Sequence, residues 1–98
     1  MPTTAAAPKS RAIITVLGAD RPGIVAAVAG TLSEHEANIL DISQTILQGI
    51  FTMTMLVELP DADRSFSSMR ESLDALAERI GVRITMQREE VFRFMYRL

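Results

Sequence analysis

The chain has 98 residues, 48% of them hydrophobic and 22% charged, with a net charge of −2 and a mean hydropathy of +0.20. These values describe one domain with a single core, exclude a disordered chain, and give no electrostatic basis for binding nucleic acid. The absence of cysteine removes disulfides, thiolate zinc sites and thiol nucleophiles, and the single histidine, His35, removes a multi-histidine metal site within one chain.

Met1 to Ser10 is small, polar and proline-containing, without the charged start and apolar stretch of a signal peptide. It reads as a flexible leader, residues 1–10, ahead of a domain at 11–88, and a cytoplasmic location follows by default. Ala12 to Leu17 is a β-branched apolar run, hence a first strand, stopped by Gly18. Ile24, Val28 and Leu32 then recur at four-residue intervals and predict a helix that ends near Glu34 to Glu36. Asp20 is placed to cap that helix, and Pro22 suits its first turn.

Asn38 to Leu47 and Ile50 to Leu59 are two strand-like runs joined by Gln48-Gly49, a two-residue hairpin candidate. In the second run Phe51, Met53, Met55, Val57 and Leu59 share one face. In the first, Leu40, Ile42, Gln44 and Ile46 share the expected core face, with Gln44 an internal hydrogen bonder. Pro60 ends the hairpin, and Asp61 to Ser65 supply turn and capping residues. Phe66, Met69, Leu73, Leu76 and Ile80 predict a second amphipathic helix stopped by Gly81. Val82, Ile84 and Met86 alternate with polar residues as a fourth strand.

Residues 89–98 read as a C-terminal helix, with Glu89 and Glu90 at its start and Arg97 at its end. The tail either packs on its own domain or forms an apolar lid over a partner or the open sheet face. The order strand–helix–strand–strand–helix–strand specifies an α+β, ferredoxin-like βαββαβ sandwich, with a four-stranded antiparallel sheet and two helices on one face. Its apolar content is high for so small a domain and leaves surface for a partner subunit. No apolar run approaches a membrane span.

The segment Gly18-Ala19-Asp20-Arg21-Pro22-Gly23-Ile24-Val25 carries the functional signal. A strand that turns directly into a helix leaves free backbone N–H groups at its mouth, and these favour a carboxylate. Asp20 serves as a helix cap, or receives a ligand ammonium group, or both. Arg21 is a solvated arm or an anion clamp. Gly23 permits close approach of a ligand or of another chain. Asn38 either takes an uncommon backbone angle or uses its amide to donate and accept across a bound amino acid. His35 reads as a surface residue, and Met53, Met55, Met69 and Met86 as core.

The first strand, Asp20 to Val25 and Asn38-Ile39-Leu40-Asp41 together resemble the ACT domain, a small ligand-binding module of amino-acid metabolism. Asp41 to Leu47, Phe51-Thr52-Met53, Val91-Phe92 and Met95 to Leu98 look like one group within it, the short stand-alone bacterial ACT proteins of uncharacterised function. The resemblance covers roughly Arg11 to Leu98. It implies that two subunits pair and that small ligands, often amino acids, bind at the seam. The residues matching Asp20 and Asn38 then contact the ligand from facing subunits, and the glycine matching Gly23 lets backbones approach. At Gly18 the chain departs from serine-sensing relatives, which carry a polar residue there, often histidine.

The candidate ligand-binding set is therefore Asp20, Arg21, Pro22, Gly23, Ile24, Asn38 and Ile39, with no catalytic residue, metal or cofactor. The leading reading is a non-enzymatic regulatory homodimer that binds a small zwitterion and signals through an unidentified protein partner, without nucleic acid or membrane. A structural or adaptor dimer with a lapsed site is the alternative. An acylphosphatase-like hydrolase is disfavoured because Pro22 removes an N–H from the loop that would cradle phosphate.

Overall fold

The computed structural model describes residues 10–60 and 64–95. The leader's residues 1–9, the capping residues 61–63 and the last residues of the tail, 96–98, lie outside them. The elements run β1 (Ser10–Ala19), α1 (Ile24–Glu34), β2 (Asn38–Leu47), β3 (Ile50–Leu59), α2 (Arg64–Ile80), β4 (Arg83–Arg88) and α3 (Glu89–Met95). The sheet order is β2-β3-β1-β4 and every pairing is antiparallel. The ferredoxin-like sandwich and its short C-terminal helix are both present. β1 extends two residues beyond the predicted run at each end, because the β3 ladder continues from Ser10↔Leu59 to Ala19↔Ile50.

One face of the sheet is buried. Ala12, Ile14 and Val16 of β1, Phe51, Met53, Met55, Val57 and Leu59 of β3, and Ile84 and Met86 of β4 pack against the helices. α1 contributes Ile24, Val28 and Leu32, and α2 contributes Phe66, Met69, Leu73 and Leu76. These helical residues sit three and four apart, so each helix turns a single stripe to the sheet. The methionines at 53, 55, 69 and 86 belong to this core.

The helix ends are closed by backbone geometry. Gly81 has φ +71, and the Val82 N–H returns to the Ala77 carbonyl at 3.1 Å, the closure of a Schellman motif. α1 ends the same way, with Ala37 N–H on the Leu32 carbonyl at 3.0 Å and Glu36 on the Ser33 carbonyl at 3.0 Å. Here the left-handed position is filled by Glu36, φ +58, rather than glycine. Gln48 and Gly49 both have positive φ, 54° and 81°, which gives the β2–β3 hairpin the twist its strands require.

Two expectations are corrected at β2. All ten of its residues are exposed, so Gln44 is not an internal hydrogen bonder. A register shift between Ile39 and Asp41 also moves Leu40 out of the series. Ile39, Ile42, Gln44 and Ile46 therefore stand opposite the buried Val57, Met55, Met53 and Phe51. His35 also differs from its expected place. It is half-buried, and its Nε2 lies 2.8 Å from Ser72 Oγ, joining the end of α1 to α2.

Candidate functional site

The mouth between β1 and α1 is built by three tethers. The Asp20 N–H donates to the Gly49 carbonyl at 2.9 Å and ties the end of β1 to the tip of the β2–β3 hairpin. Ile24 is buried and anchors the first turn of α1 in the core. The Arg21 guanidinium donates through Nη2 to the carbonyl of Ile80, the last residue of α2. A cation on the final carbonyl of a helix satisfies an orphan acceptor and opposes the negative end of the dipole.

Asp20 does not cap α1. The cap position belongs to Gly23, φ +90, whose carbonyl takes the first helical bond from Ala27 N–H at 2.9 Å, with no side-chain cap. Pro22 precedes that cap and so lies outside the first turn. Two consequences follow. The N–H groups of Ile24, Val25 and Ala26 have no helical acceptor, because the residues three and four before them lie outside the helix. The Asp20 carboxylate, exposed, has no hydrogen-bond or ion-pair partner among the described residues.

Arg21, Pro22, Gly23, Ile24 and Ile80 line a shallow pocket of about 100 Å³. Small-molecule sites more often enclose about 300–1,000 Å³, so this is part of a site at most. A Cβ added at Gly23 meets nothing within 4 Å, which makes the missing side chain a matter of backbone angle and access rather than intramolecular packing. The sequence pattern marks Ile80 only as the last apolar residue of the second helix, not as part of the mouth. Its signal was Gly81, which marks a helix end and hence a carbonyl in need of a donor.

Asn38 and Ile39 are elsewhere. Asn38 is level with Glu58 and Arg11, whereas Leu47 is level with Ile50 and Ala19. At about 3.3 Å per residue these two levels are roughly 25 Å apart along the sheet. One chain therefore gathers Asp20 to Ile24 at one end of the sheet and holds Asn38 and Ile39, both exposed, at the other.

Gly18 is crowded. A Cβ there falls 2.8 Å from Val82 Cγ1 and 3.2 Å from Val82 Cβ, so the space a polar side chain needs is filled by the residue leading into β4. Among the described residues no three His, Cys, Asp or Glu side chains are grouped to hold a metal ion, and no helix is long and apolar enough to cross a membrane.

A family model of the ACT domain matches residues 10–87. This chain belongs to the ACT domain family. A UPF0237 protein of Methanopyrus kandleri is 52% identical over 89 residues, covering 91% of this chain and 99% of its own. A UPF0237 protein of Bifidobacterium longum is 51% identical over the same share of this chain. Among solved structures, an ACT domain protein from Streptococcus pneumoniae superposes with a TM-score of 0.74 at 41% identity, covering 85% of this chain and 93% of that one. A putative glycine cleavage system transcriptional repressor shares the fold, with a TM-score of 0.76 at 24% identity over 84% of this chain and 47% of its own. ACT domains are regulatory small-molecule-binding modules. In this ACT domain the β1–α1 mouth offers the unpaired N–H groups of the first helical turn, an exposed carboxylate at Asp20 and a glycine at the cap.

Proposed function

We propose that this ACT domain is a non-enzymatic regulatory module that acts as a homodimer and binds an amino acid at the subunit seam. One observation carries the reading: the exposed edge strand β2 connects the two half-sites, with Asn38 at one end and the β1–α1 mouth at the level of the other. Two copies related by a twofold axis and joined along β2 run antiparallel. Each Asn38 then moves toward the partner's Leu47 end and its β1–α1 mouth. The apolar strip of Ile39, Ile42 and Ile46 becomes the contact. The helix-start N–H groups take the ligand carboxylate, Asp20 takes its ammonium group, and the partner's Asn38 bridges the two.

The crowding of Gly18 by Val82 supports a second reading, an adaptor dimer whose pocket no longer discriminates ligands. Acyl-phosphate hydrolysis has less support, since Arg21 is turned to the Ile80 carbonyl and Asn38 lies far along the sheet. The output passes to a protein partner, in the cytoplasm.

Isothermal titration against the common amino acids tests the proposal. A saturable heat with one of them, lost in Asp20→Ala and in Asn38→Ala while both variants stay folded dimers, supports sensing. A folded dimer that gives flat traces with every amino acid favours the adaptor. A strictly monomeric chain sinks both readings.

A further inference from the structure

β2 is an edge of the sheet, and one backbone donor on that edge is already taken. Gln48 and Gly49 form a two-residue turn with positive φ at both positions. The pair that closes such a turn, here Leu47 and Ile50, exchanges both of its backbone hydrogen bonds. Bonded pairs alternate from there, so Thr45↔Thr52 and Ser43↔Thr54 are the next two. The N–H and C=O groups of Ile46, Gln44 and Ile42 therefore point away from β3, across the open edge. The Gln44 and Ile46 N–H groups have no acceptor among the described residues. The Ile42 N–H has one: it donates to Asp41 Oδ1 at 2.9 Å. On the far side of Asp41 the ladder is interrupted by the shift between Ile39 and Asp41.

We infer that Asp41 determines the register of the β2 seam: its carboxylate closes the strand edge at Ile42 and leaves a second copy one pairing, centred on Thr45. The inference rests on the β2 dimer proposed above and adds which residues face one another there. A twofold axis normal to the joined sheet keeps every side chain on its own face. The axis must then pass beside one residue, which stands opposite its own copy.

Few positions for that axis are open. An axis beside Ile42, Ser43 or Gln44 aims a carbonyl of the partner at the Ile42 N–H. That carbonyl meets the Asp41 carboxylate instead, acceptor against acceptor, and loses its water without gaining a donor. An axis beside Ile46 keeps only the two bonds between Ile46 and its copy. An axis beside Thr45 pairs Gln44 with the partner's Ile46, and Ile46 with the partner's Gln44. Those four bonds use both unpaired donors of each chain and do not involve Ile42. Thr45 then faces its own copy as a non-hydrogen-bonded pair, a favourable match across strands.

Disulfide trapping on the full chain tests this, because the sequence has no cysteine of its own. Thr45→Cys and Gln44→Cys are both on the exposed strand, and each reports the axis that passes beside it. With Asp41 in place, the cross-linked dimer of Thr45→Cys is expected at about tenfold the yield of Gln44→Cys, since the competing register strands two carbonyls. In the Asp41→Ala background the Ile42 N–H is released and an axis beside Gln44 gains two bonds. The Gln44→Cys yield should then rise to that of Thr45→Cys or above. A ratio that Asp41→Ala leaves unchanged, or a Gln44→Cys yield that already matches Thr45→Cys with Asp41 present, overturns the role of Asp41 and leaves the β2 seam standing. Yields at both positions no higher than that of Asp74→Cys, on the exposed side of α2, overturn the seam and this inference together.

Discussion

The two strands of the β2–β3 hairpin both carry an apolar row, with five apolar residues of ten in β2 and seven of ten in β3, and meet opposite fates. In β3 every second residue from Phe51 to Leu59 is buried, whereas in β2 all ten are exposed. Ile42 and Met55 are directly opposite one another on the same face, yet Ile42 is 43% exposed and Met55 is 0%. The difference is position in the sheet. β3 has neighbours on both sides and lies beneath the helices, while β2 is an edge strand beyond their reach. An apolar row on an uncovered edge strand is an association hazard unless something pairs with it. In this ACT domain the proposed second copy is that cover.

Truncation is the most direct way to break the comparison. Met55→Ala is expected to cost about 2–5 kcal/mol, because the neighbourhood cannot collapse around the void. Ile42→Ala should cost under about 1 kcal/mol when the chain is dilute and alone, since water already reaches the side chain. Urea unfolding of both variants decides this, and equal losses would contradict the contrast drawn between the strands. Repeating the titration at increasing protein concentration sharpens it. The Ile42→Ala penalty should grow as β2 becomes covered, while that of Met55→Ala holds.

Gly18→Ala probes the covered face from β1. The added methyl meets Val82 at under 3 Å, so a loss of about 1–3 kcal/mol is expected by overpacking. The double variant Gly18→Ala with Val82→Ala should recover part of it. A smaller effect, about 0.5–1 kcal/mol, is expected for Arg21→Gln, which removes the cation from the Ile80 carbonyl. Thermal unfolding of that variant measures the loss. Smallest of all, Glu36→Gly lies where α1 hands over to β2. It should stabilise by about 0.5 kcal/mol by relieving a left-handed backbone that a side chain disfavours.

Much of this fold was legible in the residues. The three-four spacing of Phe66, Met69, Leu73, Leu76 and Ile80 announced α2, and Gly81 its end. The alternation from Phe51 to Leu59 announced β3 and its buried face. β2 misled because alternation reports only that a strand has two different faces, not whether a helix lies over one. Leu40 misled because a bulge leaves no mark in so short an apolar run. At the candidate site, the Gly18 to Val25 segment marked the strand-to-helix turn. It gave no sign that Gly23 rather than Asp20 would hold the cap, or that Arg21 would turn to α2. Those choices depend on Gly49 and Ile80, which lie 29 and 59 residues further along the chain from Asp20 and Arg21, respectively.

From the sequence alone, periodicity and turn chemistry were enough to specify the order of elements, the two helical stripes and the ferredoxin-like class, because these depend on neighbours within a few residues. Tertiary structure alone decided that β2 would be an uncovered edge, that the mouth and Asn38 would stand at opposite ends of the sheet, and that Gly18 would press on Val82. Each of these depends on which distant backbone comes to lie alongside, and hydrogen-bond register and helix coverage set that only once the chain has closed on itself.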